Sequence, residues 1–204
     1  MKILRLILLM ITAMNFSFSH ATDSAEWLAV TNAYSTTKAT DSSDKLDEAY
    51  DLATKYAEQH PTDGRAMTYR GSLATMKAKD SLLPWKKLSS LNKGVDWMDE
   101  GVSIVTNDKA LAGSRVEIEV RMVRGITSAR IPALFGRGSV ARADLMAVTA
   151  TPIFKDITPA NKATAFAWLA VLLRRQNDSA AGDWLKQARA ADEQVASSIW
   201  VQFK

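Results

Sequence analysis

The 204-residue sequence contains no cysteine and only two histidines. The absence of thiols excludes disulfide bonds and thiol chemistry, so packing alone must stabilise the fold. His60 precedes Pro61 at a predicted helix end and is expected to face solvent. No His-Glu-x-x-His, Gly-x-Ser-x-Gly or cysteine-cluster motif occurs, so zinc hydrolases and common serine hydrolases lack their characteristic residues. We therefore expect a protein that is not an enzyme and that needs no cofactor or metal.

The N-terminal segment has the organisation of a signal peptide. A positively charged start (residues 1–5) is followed by an apolar run (residues 6–14) that is shorter than the roughly 20 residues needed to cross a bilayer. Small residues then occupy the two positions that a signal peptidase recognises, which predicts cleavage after Ala21. We expect an exported protein, periplasmic or secreted, whose mature domain is residues 22–204 and carries no transmembrane anchor.

Charge is unevenly placed along the chain: residues 22–112 carry a net charge of about −3, and residues 113–204 carry about +5. The net charge is +4, and part of it lies in the leader. The chain has no dense basic stripe of the kind that contacts phosphate backbones. We therefore expect no nucleic-acid partner.

Apolar residues recur every three or four positions along most of the chain, which is the spacing of one helix face. No segment shows the period-two alternation of a strand, so the predicted class is all-α. The predicted helices cover residues 23–38, 45–59, 65–79, 84–106, 113–130, 139–150, 160–176 and 178–194. N-caps are expected at Asp63, Ser139 and Thr158. Two interpretations remain open for the apolar tail: Trp200 and Phe203 dock on the last hairpin, or they hook onto a partner.

Short motifs recur along the chain. Met67–Gly71 is echoed by Met122–Gly125, and Ala49–Ala53 by Ala143–Ala147. Small residues at such points let two helix backbones approach closely. With Pro61 at a helix end, these residues resemble the tetratricopeptide repeat (TPR) pattern, although each repeat exceeds the usual ~34 residues. The resemblance implies an α-solenoid of about four stacked hairpins that binds a protein or peptide as an adaptor or assembly factor. An irregular helical bundle is the alternative architecture.

The extra length of the repeats falls largely in two connections, residues 80–87 (the first connection) and residues 131–138 (the second connection). Equivalent turns of a stacked array line one edge, so the two connections should be neighbours. Each combines an aromatic residue with basic ones, the types enriched at binding hot spots. The candidate partner-binding residues are Trp85, Lys86, Lys87, Arg130, Phe135 and Arg137.

Three alternatives to this site remain open. In the first, Trp85 and Phe135 fold inward and the basic residues are merely solvated. In the second, the protein binds a small molecule or lipid in an apolar cavity between the fifth, sixth and seventh helices. A closed apolar pocket would favour that ligand, and an open polar groove would favour a protein partner. In the third, an enzyme, two carboxylates would have to converge in a cleft.

The fifth helix carries several arginines at helical spacing. Glu117 precedes Arg121 by four positions, the favoured order for an ion pair. With Glu119 also nearby, we expect these charges to form an ion-paired surface. A face that reads a ligand is the alternative.

Overall fold

The computed structural model describes residues 23–40, 42–78 and 84–203. The predicted signal peptide and residues 80–83 of the first connection therefore lie outside the described residues. Within them the fold is all-α, with nine α-helices and no strand, which confirms the predicted class. None of these helices is both long enough and apolar enough to span a membrane.

The α-helices are α1 Ala25–Thr40, α2 Ser43–Gln59, α3 Gly64–Lys77, α4 Pro84–Asn107, α5 Arg115–Arg130, α6 Gly138–Ala150, α7 Pro159–Arg175, α8 Ala181–Ala191 and α9 Glu193–Gln202. Short 3₁₀ turns occupy Ala133–Phe135 and Pro152–Asp156. The bounds of α2 to α7 agree with the predicted ones to within a few residues.

Side-chain caps fix two helix starts as predicted. Asp63 Oδ1 accepts a hydrogen bond of 2.8 Å from the backbone N–H of Arg65 at the start of α3. Thr158 Oγ1 accepts one of 3.3 Å from the backbone N–H of Asn161 at the start of α7, where Pro159 is the first helical residue. Each cap satisfies a backbone donor that the first helical turn leaves unpaired.

The predicted N-cap of α6 is wrong. The helix begins at Gly138, and the hydroxyl of Ser139 points back to the carbonyl of Gly136 at 3.4 Å. Gly136 adopts a left-handed conformation with φ of 68°, which turns the chain into the helix earlier than expected. Arg137 occupies the cap position and makes no capping bond with its side chain.

The eighth predicted helix ends earlier than expected, at Ala191, and most of the predicted apolar tail belongs to a ninth helix. Asp192 has extended backbone angles, and its carboxylate accepts a hydrogen bond of 3.0 Å from the backbone N–H of Val195, which starts α9. Because α9 folds back, Phe203 lies 4.5 Å from the ring of Trp168, and Trp200 packs against the same core. The tail therefore docks on the preceding helices, the first of the two interpretations above.

Consecutive helices pack in pairs. The most extensive contacts join α3 to α4, α7 to α8, α5 to α6 and α1 to α2, and α3 also packs on α2 and α5. Such pairing is what a stack of helical hairpins requires. The TPR-like solenoid itself stays a prediction.

The backbones of α3 and α4 touch at two glycine pairs. Gly64 faces Gly101, and Gly71 faces Gly94. A Cβ atom added to Gly94 would lie 2.6 Å from the carbonyl oxygen of Gly71, and a Cβ on Gly71 would collide with the carbonyl of Gly94. Seven residues, about two turns, separate the glycines on each helix, so both lie on the same face. The lack of side chains at these four positions lets the backbones of α3 and α4 come into contact.

Two large apolar clusters form the core. The cluster of α1 to α3 contains aromatic rings that pack edge-on or tilted, with the centroid of the Tyr69 ring 5.1 Å from that of Trp27 and 4.7 Å from that of Tyr34. The cluster of α5 to α9 includes Met122, Leu145, Trp168 and other residues that fill the space between α5, α6 and α7.

Candidate functional site

The two connections lie at one end of the helical pairs, and a pocket of about 810 Å³ opens at that end. We call it the connection pocket. Its lining comes from the C-terminal ends of α1, α3 and α5, the N-terminal ends of α2 and α4, and the second connection. The lining residues are Thr37, Ser42, Ser43, Leu46, Thr75, Met76, Ala78, Lys87, Leu88, Leu91, Thr127, Arg130, Ile131, Pro132, Leu134 and Phe135. The pocket thus brings residues of both connections together.

The walls of the connection pocket are mostly apolar. Leu46 and Leu91 are buried, Met76 and Ile131 are half-buried, and Phe135 stands at its border. No aspartate or glutamate belongs to the described lining. The pair of converging carboxylates that a glycosidase would require is therefore not found in this part of the pocket wall.

The threonine hydroxyls in the wall already have partners inside the protein. Thr37 donates to the backbone carbonyl of Tyr34 at 2.8 Å, and Thr75 donates to that of Ser72 at 2.7 Å. The hydroxyl of Thr127 lies 2.8 Å from that of Ser72, which in turn lies 2.9 Å from the Tyr34 hydroxyl. Since the protons of Thr37 and Thr75 are already donated, these two hydroxyls offer an incoming polar backbone no donor to compensate for lost water.

The two charged residues of the lining are cations. Lys87 is exposed near the start of α4, and Arg130 is exposed at the end of α5. Within the described part of the chain neither forms an ion pair with a carboxylate, and the guanidinium of Arg130 lies 5.8 Å from the ring of Phe203. The pocket therefore combines an apolar interior with positive charge that its walls do not neutralise.

Arg137, a predicted partner-binding residue, lies outside the pocket lining. Its guanidinium donates two hydrogen bonds to the carboxylate of Asp99 on α4, at 2.7 and 2.9 Å. Asp99 also accepts one of 3.2 Å from Arg124 on α5. These hydrogen bonds fasten the end of the second connection to α4, next to the 3₁₀ turn at the pocket border.

Asp144 on α6 extends this network into the interior. It is fully buried and accepts hydrogen bonds of 2.7 Å from Nε and Nη2 of Arg124 and one of 2.9 Å from Arg121. Burial alone would lower the pKa of Arg124, but the hydrogen bonds and charges of Asp144 and Asp99 outweigh it and raise that pKa. Asp144 was not predicted as a functional residue; the pattern that could have indicated it is an acidic residue on the apolar face of a helix, next to Leu145.

The predicted ion pair on α5 is confirmed. Glu117 accepts a hydrogen bond of 2.6 Å from Nε of Arg121. The expectation that Glu119 belongs to the same surface is wrong, because its side chain is fully buried and accepts a hydrogen bond of 2.8 Å from the Tyr69 hydroxyl. Burial and the neighbouring carboxylate raise the pKa of Tyr69 well above its ordinary value, which keeps this donor protonated.

Of the remaining predicted residues, Phe135 lines the pocket, and Trp85 and Lys86 do not. Trp85 is 67% exposed at the start of α4, so the interpretation that it folds inward is wrong for this residue. Lys86 is exposed next to it, and Phe135 is 36% exposed. The structure therefore places Lys87, Arg130 and Phe135 on the pocket and leaves Trp85 and Lys86 at its side.

The connection pocket lies in a different place from the cavity of the second alternative above. That alternative placed an apolar cavity between the fifth, sixth and seventh helices, a region that contains buried residues of the α5–α9 cluster. The connection pocket instead lies between the ends of α1 to α5 and the second connection. Loop and helix-end residues build it, and periodicity within single helices does not reveal how these residues converge.

Comparison of the chain with protein-family models, with curated proteins and with solved structures finds no match. The geometry and chemistry of the connection pocket are therefore the basis for assigning a function.

Proposed function

We propose that this is a non-catalytic, exported binding protein whose connection pocket takes an amphipathic anion, a molecule with an apolar body and one negatively charged group. The observation that supports this proposal is a mostly apolar pocket whose two charged lining residues, Lys87 and Arg130, have no carboxylate partner among the described residues. Its volume of about 810 Å³ falls in the range of about 300 to 1,000 Å³ of small-molecule sites.

The apolar walls favour a ligand body without polar groups. Each buried methylene of such a ligand contributes about 0.8 kcal/mol, whereas a buried backbone amide without a partner is unfavourable. Because Thr37 and Thr75 already donate to backbone carbonyls, an alkyl or acyl chain suits the interior better than an extended peptide. The anionic group belongs at the mouth, near the two cations, where it keeps part of its water.

Isothermal titration with three twelve-carbon probes tests the proposal: dodecanoate, dodecanol and dodecyltrimethylammonium, each below its aggregation concentration. We expect dodecanoate to bind best of the three. Dodecyltrimethylammonium should bind at least about tenfold more weakly than dodecanoate, a difference in binding free energy of about 1.4 kcal/mol. Leu88→Glu places a negative charge at the mouth on a half-exposed side chain and should abolish dodecanoate binding. Leu28→Glu, the same change at an exposed position of α1, is the control. If no probe binds, or the cation binds best, the proposal is wrong.

A second candidate function is the predicted one, a periplasmic protein–protein adaptor or assembly factor. The observation that favours it is the exposure of Trp85 and Leu134 beside the pocket, since large apolar side chains on a surface mark many protein interfaces. A pull-down from envelope extract with the wild type and a Trp85→Ser/Leu134→Ser variant tests it. A discrete partner that only the wild type retains would support an adaptor.

A further inference from the structure

The exposed apolar side chains of the protein are concentrated around the connection pocket. Of the seven large apolar side chains that are exposed in the described residues, four belong to the two connections and the adjoining turn of α4. They are Trp85, Leu88, Leu134 and Phe135, and Leu134 is the most exposed of the seven at 81%. A soluble surface rarely groups such residues without a use for them.

These residues belong to one continuous edge. Trp85 and Leu88 are three positions apart on α4 and therefore lie on the same side of that helix. Leu88 and Leu134 both line the connection pocket, so the apolar strip runs from Trp85 past the pocket mouth to the second connection. We call this strip the connection edge.

Positive charge accompanies the strip. Lys86 and Lys87 follow Trp85 directly and are exposed, and Arg130 is exposed at the pocket. None of the three forms an ion pair within the described residues, whereas Arg124 and Arg137 are bound to aspartates nearby. The edge thus presents unpaired cations beside exposed tryptophan and leucine.

We propose that the connection edge docks on an anionic membrane surface. Tryptophan is favoured at the boundary between headgroups and acyl chains, and lysine and arginine beside it are attracted to anionic lipid headgroups. The exposed Leu134 on the 3₁₀ turn and Leu88 on α4 supply shallow insertion. The pocket mouth then faces the bilayer, which is where amphipathic anions accumulate. Membrane docking needs the edge, whereas the proposed ligand needs the pocket, so each can fail without the other.

Sedimentation with lipid vesicles tests this inference. The protein, expressed with its own leader and checked by mass for loss of residues 1–21, is mixed with vesicles of phosphatidylcholine alone or with about one third phosphatidylglycerol. We expect binding to the anionic vesicles that falls as salt rises. Lys86→Gln/Lys87→Gln should weaken it by about fivefold per charge, and Trp85→Ser/Leu134→Ser should weaken it by more than about tenfold.

A matched control distinguishes vesicle binding through the connection edge from nonspecific adsorption. Val201 is as exposed as Trp85, at 68%, and lies on α9, so Val201→Ser should leave vesicle binding unchanged. All substituted side chains are exposed, and equal melting temperatures would verify folding. Equal binding to both vesicle types, or edge variants that bind like the wild type, would overturn the inference. If vesicles do not bind and the edge variants instead lose an acidic protein, the edge is a protein interface and the membrane proposal is wrong.

Discussion

Asp99 accepts two hydrogen bonds from the guanidinium of Arg137, a residue 38 positions further along the chain. This pair ties α4 to the second connection, and Arg124 carries the link on to the buried Asp144. The candidate site therefore has two kinds of basic residue. Arg137 and Arg124 hold the scaffold together, and Lys87 and Arg130 face the pocket.

Arg137→Gln should loosen the second connection and weaken the pocket without unfolding the protein. The lost charged hydrogen bonds are at the surface end of the network, where Asp99 is 42% exposed, so we expect a stability loss of only about 1 kcal/mol. Hydrogen exchange should accelerate in residues 131–138, and dodecanoate affinity should fall by about fivefold. Arg142→Gln on the exposed face of α6 is the control. Unchanged exchange in the connection would show that Arg137 does not position it.

Asp144→Asn should be among the most destabilising polar substitutions. It leaves Arg121 and Arg124, both largely buried, without their shared counter-charge, and breaking a buried pair costs about 3 to 5 kcal/mol. Urea unfolding measures the loss, with the exposed Asp183→Asn on α8 as control, expected within about 0.5 kcal/mol of wild type. A loss below about 1 kcal/mol for Asp144→Asn would refute the role given to this network.

Gly71→Ala and Gly182→Ala should act in opposite directions. A methyl group on Gly71 meets the backbone of Gly94 and the side chain of Met98, so α3 and α4 must separate, at about 3 kcal/mol or more. Gly182 lies in α8 with no atom near the added methyl, so alanine should stabilise that helix by about 0.5 kcal/mol. Thermal unfolding of the two variants compares them directly. Equal effects would contradict the close contact of α3 and α4.

Glu117 should make stability depend on acid pH. Burial alone would raise its pKa, but the backbone N–H of Gly113 and the side chain of Arg121 outweigh this and lower it. The unfolded chain then takes up the proton more readily, so this contribution is present above the ordinary value of about 4.5 and is lost as the pH falls through the folded pKa. Glu117→Gln should therefore cost about 0.5 kcal/mol at neutral pH and nothing in strong acid, measured by urea unfolding against Glu100→Gln. A loss of the same size at both pH values would exclude the ionised carboxylate as its source.

Local signals predicted most of the fold. The caps at Asp63 and Thr158 and the Glu117–Arg121 pair depend on residues at most four positions apart, so sequence spacing was enough. The helix break at Asp192 was not predicted, because the helical spacing of apolar residues continues through this position. Aspartate is itself a favoured N-cap residue.

The features of the site that were not predicted depend on contacts between residues far apart in the sequence. From the sequence, a basic loop residue that binds a ligand cannot be distinguished from one that pairs with a distant aspartate. Arg137 and Asp99 come into contact only in the folded chain. The connection pocket is likewise made by the ends of five helices and a loop. Its two connections were identified by length and composition, but its apolar interior was not.

If Lys87 and Arg130 select an anionic ligand for the connection pocket, their replacement must weaken the binding of dodecanoate, which calorimetric titration measures. The Lys87→Gln/Arg130→Gln variant is compared with Arg142→Gln/Lys186→Gln, which removes the same charge from exposed positions of α6 and α8. We expect dodecanoate to bind the first variant at least about tenfold more weakly, with dodecanol binding unchanged, and to bind the second like the wild type. Equal dodecanoate affinity in all three proteins would contradict this role of Lys87 and Arg130.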